Sequence, residues 1–87
     1  MATTFPLPPK WEKRGWKLKI RDRERVEPPH VTLLHKTDSW RFGLREKSFL
    51  DRKPDPNRVP GDLLTYLLNH YEDYVEAWNA MYPYNTV

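Results

Sequence analysis

The chain of 87 residues contains no cysteine, which excludes a disulfide scaffold, a thiol nucleophile and any cysteine-ligated zinc or iron–sulfur centre. Glycine is scarce, at three residues, and none sits in a phosphate-cradling loop. The G-x-S-x-G and H-E-x-x-H strings of common hydrolases are missing too. Long apolar runs are also lacking. The opening MATTFPLPPKW has no signal-type apolar core, and the longest aliphatic cluster falls far short of the roughly 18 residues of a membrane span. These absences point to a soluble cytoplasmic protein with no membrane association and no bound cofactor.

What is present is a polar, aromatic-rich chain. It is 31% charged, with a mean hydropathy of −0.91, yet it carries 4 Trp, 5 Tyr and 3 Phe. Those side chains supply large apolar area each and argue against disorder. A chain this short makes one domain and buries only roughly 60% of its unfolded surface, so its core must be compact.

The charge is unevenly placed. Residues 1–53 hold 14 of the 15 Lys and Arg against 7 of the 12 Asp and Glu, a balance of +7, while residues 54–87 stand at −4. The formal +3 hides a basic section joined to an acidic one. A basic face attracts nucleic-acid phosphates or an acidic protein partner, with an affinity that falls as salt rises.

Residues 1–10, with Pro6, Pro8 and Pro9, read as an extended or disordered arm, tacked down by Phe5 and Trp11. The arm precedes a single domain over residues 11–87. Trp16, Leu18 and Ile20 alternate with Lys17, Lys19 and Arg21, the period of a strand with one buried face. The charged run from Arg21 to Glu27 reads as a strand extension or a loop. Residues 30–36 form a second strand. After a polar turn over residues 36–39, Trp40, Phe42 and Leu44 alternate with Arg41, Gly43 and Arg45 in a third. From Pro60, the apolar residues Leu64, Leu67, Leu68, Tyr71, Val75, Trp78 and Tyr82 recur at helical spacing, and Pro83 ends the helix. The expected fold is α+β: a three-stranded antiparallel meander packed on one face by a long C-terminal helix. Parity then puts Lys17, Lys19, Arg21, Arg41 and Arg45 together on the open face.

Three histidines, His30, His35 and His70, are the candidates for proton transfer. His30 and His35 point to opposite faces of one strand, and zinc-type spacings are absent, so no metal site is expected. Pro28-Pro29-His30 is the most distinctive string. The prolines preset an extended approach and place His30 at a strand start, either as a structural cap or as a contact beside Arg41 and Arg45. One functional reading is a binding module that uses Lys17, Lys19, Arg21, His30, Arg41 and Arg45 against RNA or an acidic partner. The second is a small metal-independent endoribonuclease, with His30 as acid or base and Arg41 and Arg45 on the phosphate. A third is a structural protein that forms a homodimer. Rings interleaved with bases around Trp11, Trp16 and Trp40 suggest a stacking platform, but their parity matches the aliphatic core and favours burial. The Tyr82-Pro83-Tyr84-Asn85 stretch either caps the helix or lies across a partner.

From Glu27 onward, the string Glu27-Pro28-Pro29-His30-Val31, the strand Trp40-Arg41-Phe42-Gly43-Leu44 and the helix around Glu76-Ala77-Trp78-Asn79 together resemble a family of small bacterial proteins of uncharacterised function. That family is marked by a Pro-Pro-His signature and is often associated with toxin–antitoxin pairs. The resemblance spans roughly residues 27–80 and implies an antitoxin-like protein or a nucleic acid as partner. Thr32 stands where the family's second histidine would fall, so a two-histidine mechanism does not carry over.

Overall fold

A computed structural model describes residues 3–21 and 26–87. The charged run after Arg21 therefore lies largely outside the described residues. Five strands form one antiparallel sheet in chain order: β1 (Thr3–Phe5), β2 (Trp16–Ile20), β3 (His30–His35), β4 (Asp38–Gly43) and β5 (Ser48–Phe49). The expected meander is present, but it is wider than three strands. The added strands are short and stand at the two edges. Thr3 to Phe5, read as part of an arm, pairs with Ile20 to Leu18, and Phe49 pairs with Phe42. Between β1 and β2 lies a short helix, α1 (Pro9–Lys13), with Pro9 in its first turn, where the missing N–H costs nothing. It buries Trp11. Gly15 then turns the chain into β2 at φ +90°, a backbone state that suits glycine.

The β3–β4 hairpin is tight, with His35 opposite Asp38 and a two-residue connection that starts at Lys36. Register carries the alternation across the sheet: Leu18 faces Leu33, Leu33 faces Trp40 and Val31 faces Phe42. These side chains form one face and are all buried. Trp16 extends that face, stacking on Trp40 with centroids 5.7 Å apart and on His35 at 4.2 Å.

The single long C-terminal helix expected from the spacing is instead two helices, α2 (Gly61–Asn69) and α3 (Tyr71–Met81). They break at His70, with φ −109° and ψ 15°. An unbroken helix of about 22 residues would run about 33 Å, the full 34 Å length of the molecule; the break lets each half follow the core. The buried residues of the two helices are Leu63, Leu67, Tyr74 and Trp78, while Leu68 is exposed. Helix α3 stops at Met81, and Tyr82 leaves helical geometry at φ −129°, ψ 70°, as the following proline ring requires.

Helix α3 lies across the sheet end where β2 finishes and β3 begins. The Tyr71 hydroxyl donates to the Leu44 carbonyl, Trp78 packs on His30 at 5.4 Å, and the Tyr82 hydroxyl donates to the Arg21 carbonyl at 2.6 Å. The segment after α3 folds back. Trp78 Nε1 donates to the Asn85 carbonyl at 2.6 Å and Asn85 Nδ2 to the Glu27 carbonyl at 2.7 Å. No helix among the described residues is long and apolar enough to cross a membrane.

Candidate functional site

The register that buries Leu18, Leu33 and Trp40 sends Lys19, Thr32 and Arg41 to the opposite face of the sheet as one cross-strand row, with Lys17, Leu34 and Ser39 as the next row. This face carries no helix along β2. Lys17 and Arg21 are exposed, and Lys19 is half-buried. Among the described residues no ion pair engages Lys17 or Lys19. Lys17 and Lys19 alternate along β2 with a repeat of about 6.8 Å, and Arg21 follows directly after the strand in the wall of the open-face groove, so the three cations make a positive row on that face.

Beside that row, the chain after β5 crosses the open face and encloses a groove of about 520 Å³, walled by Arg21, Thr32, Ser39, Arg41, Asp51 and Lys53. Its charges are mutually compensated around Arg41. The Asp51 carboxylate accepts from Arg41 Nη2 at 2.8 Å, from Nε at 3.2 Å and from the Arg41 backbone N–H at 2.9 Å. Glu27 approaches Nη1 at 3.4 Å. The hydrogen bonds from Arg41 hold the Asp51 carboxyl below the usual carboxylate range against the opposing cost of burial, and the same contact raises the guanidinium further. Arg41 thus ties three segments together and offers little unneutralised charge to a ligand.

His30 lies behind this cluster. Its side chain has no exposed surface, Nδ1 donates to the Pro28 carbonyl at 2.8 Å, and Nε2 stands 4.0 Å from Glu27 Oε1. Glu27 therefore sits between His30 and Arg41 and joins two of the residues singled out from the sequence. Arg45 is not gathered with them. The strand parity that placed it on the open face ends at Gly43, and its Nη2 donates to the Thr86 carbonyl at 2.7 Å and lies 3.4 Å from Asn85 Oδ1.

The remaining histidines lie elsewhere. His35 Nε2 donates to the Arg14 carbonyl at 3.1 Å, and His70 stands 3.5 Å from Asp73. No group of three potential ligands gathers for a metal ion among the described residues. The rings that alternate with basic residues are turned inward: Trp11, Trp16, Trp40 and Phe42 are all buried, so the strands present no stacking platform.

Sequence reasoning missed Glu27 and Asp51 as the partners of Arg41. Asp51 is ten residues from Arg41 in a segment with no periodicity, and only its closeness to the Phe49-Leu50 anchor hints that it reaches the sheet. Comparison with family models, with curated proteins and with solved structures finds no match for this chain.

Proposed function

We propose that this chain is a binding module that docks nucleic-acid phosphates, RNA foremost, along the open face of β2. The observation that carries the reading is the row Lys17, Lys19 and Arg21 on the sheet face opposite the buried Leu18, Leu33 and Trp40. Side chains of this kind neutralise phosphates and release counterions, which gives affinity without base readout. The groove beside the row, with its compensated Arg41–Asp51 pair, serves as a rigid polar wall. The Pro-Pro-His string adds a toxin–antitoxin component as the cellular setting of such a module.

The proposal is of binding without cleavage. His30 has no exposed surface, and the Arg41 guanidinium is engaged by two carboxylates, so neither is poised on a scissile phosphate. The test is binding of short fluorescent RNA and DNA at several salt concentrations, with RNA integrity checked in the same tubes. Three phosphate contacts predict a log–log salt slope of about −2 for a single strand. Lys17→Ala combined with Lys19→Ala should make it shallower by about 1.4, with the RNA left intact. Absence of binding at low salt overturns the reading and turns attention to an acidic polypeptide.

A further inference from the structure

The cationic row ends at an apolar surface that the phosphate reading does not use. The Tyr82 hydroxyl bonds the carbonyl of Arg21, the last cation of the row. This brings the end of α3 and the segment after it against the finish of β2. There a groove of about 320 Å³ is lined by Val26, Met81, Tyr82, Pro83, Tyr84 and Asn85, none of them charged. Among the described residues only three large hydrophobics are exposed, and two of them, Val26 at 87% and Tyr84 at 102%, border this groove. The other aromatic residues described are buried or half-buried.

Tyr84 is also held in place. Before it, Pro83 fixes one backbone dihedral. After it, Asn85 is tied through its carbonyl to Trp78 and through its side chain to Glu27, and the Val87 N–H donates to Asn79 Oδ1 at 2.8 Å. A ring presented to solvent from an anchored backbone loses little freedom when it contacts a ligand.

We propose that Tyr84 and the adjoining groove receive an unpaired base of the strand whose phosphates run along Lys17, Lys19 and Arg21, so that the module selects single-stranded over duplex nucleic acid. This inference rests on the phosphate-binding reading. The bond from Tyr82, in the groove wall, to the backbone of Arg21, the last cation of the row, argues for this occupant. A polyanion steered to β2 brings flat rings within reach of the row's end, and base–tyrosine stacking tolerates any sequence. The strands cannot supply that contact, because their rings face the core.

The experiment compares a short single-stranded RNA, the DNA of the same sequence and the corresponding RNA duplex, each against the native chain, Tyr84→Ala, Tyr84→Trp and Lys17→Ala. The fully exposed Tyr84 ring supports no packing, so its variants should keep the native melting temperature. Tyr84→Ala should weaken both single strands roughly 5- to 100-fold with an unchanged salt slope, and Tyr84→Trp should retain the affinity. Lys17→Ala should instead make the slope shallower by about 0.7. The duplex should bind more weakly than either single strand and be insensitive to Tyr84. Single strands that bind the native chain and Tyr84→Ala equally well, or a duplex that binds as tightly as they do, would overturn the stacking site and leave the phosphate row standing. If no oligonucleotide binds at all, the phosphate reading fails and the stacking site fails with it.

Discussion

Tyr74 offers a sharp test of the core. Its side chain is 2% exposed, its ring meets Phe5 edge-on with centroids 4.8 Å apart, and its hydroxyl has no hydrogen-bond partner. A buried hydroxyl left unpaired costs about 1–3 kcal/mol. Tyr74→Phe removes that oxygen and keeps the ring, so the variant should be more stable than the native chain. A cavity of about 40 Å³ adjoins Tyr74, with His70 and Asp73 in its wall, and this polar relief places the gain near the low end, about 1 kcal/mol. For a domain of this size that is a rise of roughly 4–8 °C in Tm.

The pH dependence gives a second reading of the same group. Burial pushes the Tyr74 hydroxyl well above the ordinary tyrosine range, with Tyr66 and Asp73 adding to the shift. The folded state thus favours the neutral phenol. This contribution to stability is fully present below the unfolded value of about 10 and is lost as pH rises above it towards the folded value. Thermal unfolding followed by circular dichroism at neutral pH and between about pH 9 and 11 should show the Phe variant's advantage widening at the alkaline end. A Phe variant less stable than the native chain by about 1 kcal/mol at neutral pH would refute the reasoning, since that is the signature of a lost hydrogen bond.

Asp51→Asn should destabilise the fold by about 1–2 kcal/mol, the value of charge-assisted bonds discounted for the partial exposure of Arg41. Because the Asp51 carboxyl is held below its ordinary value, its contribution is present above about pH 4 and is lost as pH falls through the lowered value. Urea unfolding should therefore show the curves of the native chain and of the Asp51→Asn variant converging in acid, and a gap that persists there would contradict the assignment. His30→Ala opens space beneath Trp78 and should cost roughly 2–4 kcal/mol. The folded fraction should keep its nucleic-acid affinity, and loss of affinity without loss of stability would return His30 to the binding surface.

The sheet was legible because its physics is local. Alternation of Trp16, Leu18 and Ile20 with Lys17, Lys19 and Arg21 fixes both a strand and the sidedness of its charges, and Arg41 follows from the same parity. The edge strands were not legible. Thr3–Phe5 and Ser48–Phe49 are too short to show a period, and their pairing depends on neighbours already in place. The interruption at His70 was masked because the apolar helical spacing runs on through it. Arg45 and Asp51 were misread or missed for a shared reason: their partners, Thr86 and Arg41, are set by how the chain returns on itself, which strand or helix periodicity does not show.

The shortness of β1 and β5 also bears on how the molecule behaves when crowded. A sheet edge is a template on which another chain can add strands, and its reach grows with the length of unpaired backbone. Here, among the described residues, one edge offers three residues followed at once by Pro6, and the other offers two. The prolines at 6, 8 and 9 bar that edge from being extended into a longer pairing register. A chain whose middle strands are flanked so briefly is guarded against growing into fibrils by strand addition.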